Sequence, residues 1–148
     1  MIINQVLGNL RDMPLAVNIV ERVALEWHEL GKRILRKTTD RGTEVGIALN
    51  GHGHLRNGDI LFSDANRAII VELLPSEVIV IEPRNLTEMA HVAYQLGNRH
   101  AQLFLEADQV LVPIDPTLVE LFNKLGIPIS VERRRLEHGL TPAGGHHH

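Results

Sequence analysis

Apolar and polar residues alternate through most of the first half of the chain. Val23, Leu25 and Trp27 fall on one side of an extended segment, with Arg22, Ala24 and Glu26 on the other. Ile34, Arg36 and Thr38 oppose Arg33, Leu35 and Lys37, and Val45, Ile47 and Leu49 alternate with Glu44, Gly46 and Ala48. Side chains of an extended strand point to opposite faces in turn, so a period of two predicts strands. Asp40-Arg41-Gly42, the glycine-punctuated stretch 50–54, Asn57-Gly58-Asp59 and residues 63–67 separate these segments and are rich in turn formers. With further apolar runs at 60–62 and 68–74, residues 1–74 are predicted to form a small all-β domain of strands and hairpins, about six strands in number.

At Pro75-Ser76 the pattern changes. A β-branched run at 77–82 is followed by Asn85, a helix N-cap, and then by Leu86, Met89, Ala90, Ala93 and Leu96 at helical spacing, which predicts one buried face. Gly97 suits the end of that helix, and Asn98 tolerates the left-handed backbone found there. Short strands are predicted at 103–105 and 110–112. Asp115-Pro116 is a strong helix start, Leu118, Val119, Leu121, Phe122 and Leu125 form its apolar stripe, and Gly126 ends it before a last strand at 127–131. The order strand, helix, strand, strand, helix, strand predicts a ferredoxin-like βαββαβ domain over 75–135. Beyond about 136 no period remains: Thr141-Pro142-Ala143-Gly144-Gly145 reads as a linker to His146-His147-His148. The predicted fold class is α+β in two domains, 1–74 and 75–135, with a flexible His-bearing tail at 136–148.

Composition narrows what such a protein does. Only 3% of the 148 residues are aromatic against 44% hydrophobic overall, so the core must be aliphatic. A net charge of −3 supplies no basic field for nucleic acid or an anionic membrane. The absence of cysteine removes disulfides, thiolate metal sites and thiol nucleophiles. The N-terminus lacks a basic segment followed by a long apolar one, and no apolar run approaches the roughly 20 residues of a membrane span. The expected location is cytoplasmic, with neither nucleic acid nor membrane as a partner.

Nine histidines stand out. Imidazole is neutral near pH 7 and is the strong ligand left for a borderline metal when cysteine is absent. The terminal triplet His146–His148 reads either as a ligand set or as the remnant of an affinity tag. His100 follows the first helix of the second domain; on chemistry alone, a lone histidine there is more often a surface residue or a partner of the helix dipole than a ligand. His52 and His54 are spaced to chelate, but loop filling is the favoured reading. His91 reads as solvated, His28 as structural and His138 as an auxiliary ligand. The basic runs Lys32-Arg33 with Arg36-Lys37 and Arg133-Arg134-Arg135 read as solvated edges that blunt strand addition. No phosphate-binding glycine loop, HExxH, GxSxG or Cys/His zinc spacing is present, and the chain reads as a non-enzymatic carrier of a divalent transition metal.

The stretch Tyr94-Gln95-Leu96-Gly97-Asn98-Arg99-His100 resembles the signature of the urease accessory protein UreE family of nickel metallochaperones. Leu25-Glu26-Trp27 and Asn57-Gly58-Asp59-Ile60-Leu61 are similar to its β domain, and Leu111-Val112-Pro113-Ile114-Asp115 and Leu125-Gly126-Ile127-Pro128 to its later segments. The resemblance spans about residues 1–135. It implies a peptide-binding-like β domain, a ferredoxin-like domain that forms a homodimer, and His100 at the two-fold axis with both copies facing one metal. Further ligands, His146, His147 and His148, would come from the tail, which as a flexible chain of about 12 residues reaches roughly 20 Å. The implied cargo is Ni²⁺, although Zn²⁺ or Cu²⁺ suits the same donors, and the implied partners are the urease apoprotein and an accessory complex that includes the GTPase UreG. Some members carry a His-x-His pair before the second helix; here Pro113-Ile114-Asp115-Pro116 holds none. Two other functions compete: a metal-independent peptide-binding adaptor of an assembly complex, and a His-ligated metal hydrolase.

Overall fold

The computed structural model describes residues 1–51, 53–137 and 139–140. The chain divides into two compact units, Met1–Leu74 and Pro75–His148. Apart from one 3-10 turn at Trp27–Glu29, the regular elements of the first unit are all strands: β1 (Ile2–Ile3), β2 (Gly8–Asn9), β3 (Ile19–Leu25), β4 (Ile34–Thr38), β5 (Glu44–Ala48), β6 (Asp59–Ser63) and β7 (Arg67–Leu73). They form a three-stranded sheet, β1-β5-β4, and a four-stranded sheet, β2-β6-β7-β3. Alternation sends Leu35, Val45 and Ile47 from the first sheet and Val23, Leu25, Ile69, Val71 and Leu73 from the second into one aliphatic core.

Seven strands stand where about six were expected, because β1 and β2 are two residues long and show no period. Trp27 is not in a strand but opens the 3-10 turn, whose start is held by a reciprocal bond in which the Glu29 carboxylate accepts the Glu26 N–H at 2.9 Å. Two pairings, β1 with β5 and β3 with β7, are parallel rather than hairpins. Two carboxylates are buried among the described residues of this unit, Asp59 of β6 and, more deeply, Glu21 of β3. Glu21 holds the larger set of side-chain donors. It accepts the hydroxyls of Thr39 and Thr43 at 2.6 Å each and Nη1 of Arg67 at 2.8 Å, so its charge is fully partnered. The Thr39 and Thr43 hydroxyls, more than the Arg67 charge, hold its carboxyl below the usual glutamate range against the effect of burial.

The second unit runs β8 (Ser76–Ile81), α1 (Leu86–Asn98), β9 (Phe104–Glu106), β10 (Gln109–Pro113), α2 (Pro116–Leu125) and β11 (Ile129–Arg134). Its sheet has the order β11-β8-β10-β9 with all neighbours antiparallel. Counted within the unit this is 4-1-3-2, the ferredoxin-like arrangement. Ile79, Ile81, Val110 and Val112 of the sheet meet Val92 and Leu96 of α1 and Leu118 and Phe122 of α2. The fold is therefore α+β in two domains. Leu136, Gly139 and Leu140, expected in an aperiodic tail, are instead held against this unit: Leu136 is buried, Gly139 bridges Phe104, and the Leu140 N–H donates to the Leu103 carbonyl at 2.7 Å.

Candidate metal centre

Helix α1 is held firmly at its start. The Asn85 side chain accepts the Glu88 N–H at 2.8 Å. Glu88 in turn accepts the Arg84 N–H at 2.8 Å and two donors of its guanidinium; these bonds hold the Glu88 carboxyl below the usual glutamate range. Nη2 of Arg84 also donates to the Gly126 carbonyl at 3.1 Å, tying the start of α1 to the end of α2.

The face that α1 buries is the expected one only in part. Val92 and Leu96 are buried and Met89 joins them, whereas Leu86, Ala90 and Ala93 point outward. Leu86 is 85% exposed and Tyr94 68% exposed. With Gly97, where an added Cβ would meet nothing within 4 Å, these residues make an apolar stripe at i, i+4, i+7, i+8 and i+11. The helix is apolar on two sides, and its spacing alone does not say which side meets the sheet. An exposed tyrosine next to Ala93 and Ala90 was the legible trace of this second face.

Both helices of the unit stop by the same hydrogen bonds. After α2, the Gly126 N–H donates to the Asn123 carbonyl at 3.2 Å and the Ile127 N–H to the Phe122 carbonyl at 3.1 Å, with Gly126 at φ 70°. After α1, the His100 N–H donates to the Gly97 carbonyl at 3.1 Å and the Ala101 N–H to the Leu96 carbonyl at 3.0 Å, with His100 at φ 54°. This is the Schellman closure, in which the penultimate residue adopts the left-handed backbone. Glycine does so freely; a residue with a Cβ is strained there by about 1–2 kcal/mol. Gly97 and Asn98 suited that conformation in the sequence, yet both remain helical. The reason lies in packing. Leu96 is locked in the core and Ala101 packs against the same cluster, so the closure spans Leu96–Ala101 and its left-handed position falls on His100.

His100 thus leaves the helix axis at the end of the apolar stripe, exposed. Its imidazole has no hydrogen-bond partner among the described residues. Arg99 beside it bonds Gln95 at 3.3 Å and adds the last and smallest contribution to lowering the carboxyl of Asp115, which Thr117 mainly holds down. The other described histidines lie elsewhere. His91 is on the exposed side of α1. His28 stands edge-on to Trp27 at 5.7 Å between ring centroids. The His54 ring lies against Gly31, where a Cβ would fall 2.7 Å from it. His52, His138 and the triplet His146–His148 fall outside the described residues. Among the described residues no three of His, Asp or Glu converge on a point that would hold a metal, and no helix is long and apolar enough to cross a membrane.

Fold and site together define a two-module α+β protein that presents one imidazole, unsatisfied within its own described chain, at a helix end of the ferredoxin-like module. Residues 3–74 match the family described as UreE urease accessory protein, N-terminal domain, and residues 76–148 match its C-terminal domain. The chain is similar to urease accessory protein UreE of Bacillus sp. (strain TB-90), 36% identical and covering 99% of each chain. It is 40% identical to that of Haemophilus influenzae (strain PittEE), over 98% of this chain and 82% of the relative, and 38% identical to that of Halalkalibacterium halodurans, over 100% and 99%. The chain belongs to the UreE urease accessory protein family.

Proposed function

We propose that the protein is a nickel carrier of urease maturation that binds Ni²⁺ through histidines at a homodimer interface. The observation that carries this reading is the position of His100: an exposed imidazole without a partner in its own described chain, at the end of an exposed apolar stripe. A two-fold contact places the same residue on both sides, so pairing the stripe of Leu86, Ala90, Ala93, Tyr94 and Gly97 with its copy turns one imidazole into two. His146, His147 and His148 complete the ligand set, and since tail ligands leave one at a time, the ion can be handed on. Zn²⁺ and Cu²⁺ compete for such donors. The names of the relatives support an accessory role to urease; on this reading the partners are the urease apoprotein and the GTPase UreG, the place is the cytoplasm, and the chain carries the ion without catalysis of its own.

Calorimetric titration of the full chain with Ni²⁺ tests the reading. His100→Ala should remove the site of one ion per dimer while leaving circular dichroism and dimer mass unchanged. Unaltered stoichiometry and affinity in that variant would overturn the assignment.

A further inference from the structure

Strand β11 ends at Arg134 on one edge of the sheet of the second unit, and β9 forms the opposite edge. Within five residues the chain has crossed from one to the other, since Gly139 pairs antiparallel with Phe104. Ile79, Ile81, Val110 and Val112 face the helices. Arg134, Glu106 and Gln109 alternate with them through the strand registers and so lie on the other face. Over that face Arg134 donates to Glu106 at 3.2 Å and to Gln109 at 3.0 Å, which draws the end of β11 toward β9. Leu136 is buried beyond it, and the Leu140 N–H closes the crossing on the Leu103 carbonyl at 2.7 Å.

A strap that served only to cover the free edge of β9 would pair along Phe104–Glu106. Among the described residues this one pairs at the start of that strand alone. That start is the end nearest His100, which precedes Leu103 by three residues and lies within about 11 Å of it. Because the pairing is antiparallel, the chain leaves Leu140 in the direction of Gln102, Ala101 and His100. Resting on the reading of His100 as a nickel ligand, we propose that Leu136, Gly139 and Leu140 form a latch that aims the histidine-bearing tail at that imidazole. They act as positioning residues and touch no ion themselves. His146–His148 stand six to eight residues past Leu140, and a chain of that length has an r.m.s. span of roughly 12–17 Å, which suits the remaining distance. Counted from Arg134, the same histidines are twelve to fourteen residues away. Effective concentration falls as roughly the −3/2 power of tether length, so the latch raises it about two- to threefold by length alone.

The test begins without metal. The chain has no cysteine, so His148→Cys takes a single nitroxide label in the full-length protein. In chelator, the label should broaden the amide resonances of Ala101, Gln102 and Leu103, and Leu140→Pro, which removes the latching N–H, should abolish most of that broadening. Absent broadening, or broadening unchanged by Leu140→Pro, would overturn the proposal. The second arm is Ni²⁺ titration of the unlabelled chain. Six Gly/Ser residues inserted between Leu140 and Thr141 should weaken binding about two- to threefold, whereas the same insertion between Glu137 and His138 should leave it unchanged. Equal weakening by both would show a tail tethered at β11 and would also overturn the latch. A nickel site that survived His100→Ala would remove the reading beneath the proposal but leave the metal-free broadening in place, so the two fail separately.

Discussion

Helices α1 and α2 hold equivalent places in the two βα halves of one unit, and they close with the same pair of hydrogen bonds. They differ in what they turn outward and in what sits at the left-handed position. α2 shows solvent Thr117, Glu120, Asn123 and Lys124 and ends on Gly126; α1 shows it Leu86, Ala90, Ala93, Tyr94 and Gly97 and ends on His100. Apart from Leu125 in its last turn, 40% exposed, α2 follows the rules of a stable surface helix. α1 breaks two of them, with an apolar outer face and a strained cap, within one stretch of chain. Departures from local preference that coincide in this way mark the place where selection acted on something other than stability.

The comparison can be broken at several strengths. The largest effect is expected at the inner residues that start each closure: Leu96→Ala should destabilise the unit by about 2–5 kcal/mol and Phe122→Ala by about 3–5 kcal/mol, read from urea unfolding. Here the two helices should behave alike, since both residues are wholly buried. On the outer faces they should diverge. Tyr94→Glu should raise the dissociation constant of the proposed dimer by about a hundredfold, near 2.8 kcal/mol, in sedimentation equilibrium, while Lys124→Glu should leave it unchanged. Exchanging the left-handed residues should give opposite signs: Gly126→His is expected to cost about 1–2 kcal/mol, and His100→Gly to stabilise the metal-free protein by up to about 1 kcal/mol. Chemical denaturation of both variants beside the parent checks this, and a destabilised His100→Gly would show that the imidazole makes stabilising contacts of its own in the metal-free protein.

The smallest difference concerns the helix starts. α1 is capped by the neutral Asn85 and α2 by the carboxylate of Asp115, which accepts the Thr117 N–H and hydroxyl at 2.9 and 2.8 Å. Those bonds lower its carboxyl below the ordinary value of 3.8. A depressed carboxylate stabilises the fold above its unfolded value and ceases to do so as pH falls through its folded one. Asp115→Asn keeps a capping oxygen and should flatten the corresponding stretch of the acid unfolding curve, measured by circular dichroism below about pH 4.

Much of this molecule was legible in its residues. Asn85, Asp115-Pro116 and Gly126 announce the helix ends because caps are local chemistry, and the order of elements after Pro75 announces the ferredoxin-like sheet. The direction of pairing was not legible: a period of two reads the same whether β3 meets β7 parallel or antiparallel. Nor was the orientation of α1, because Leu86, Ala90 and Ala93 follow a helical repeat just as Met89, Val92 and Leu96 do, and that repeat alone does not say which set meets the sheet. The left-handed conformation of His100 was hidden by the better candidates before it, Gly97 and Asn98; only the packing of Leu96 and Ala101 decides between them. Of the candidate site, residue chemistry offered His100 merely as one exposed histidine among several, and the resemblance of 94–100 to a known signature singled it out.

The carboxylate of Glu21 has a mechanical consequence. Its donors sit just past the end of β4, just before the start of β5 and at the first residue of β7, so one ionised group rivets the two sheets of the β unit together. Neither sheet can pull away from the other without stripping that group of its donors. Acid, by neutralising the rivet, would loosen the seam between the sheets while the aliphatic core remained intact.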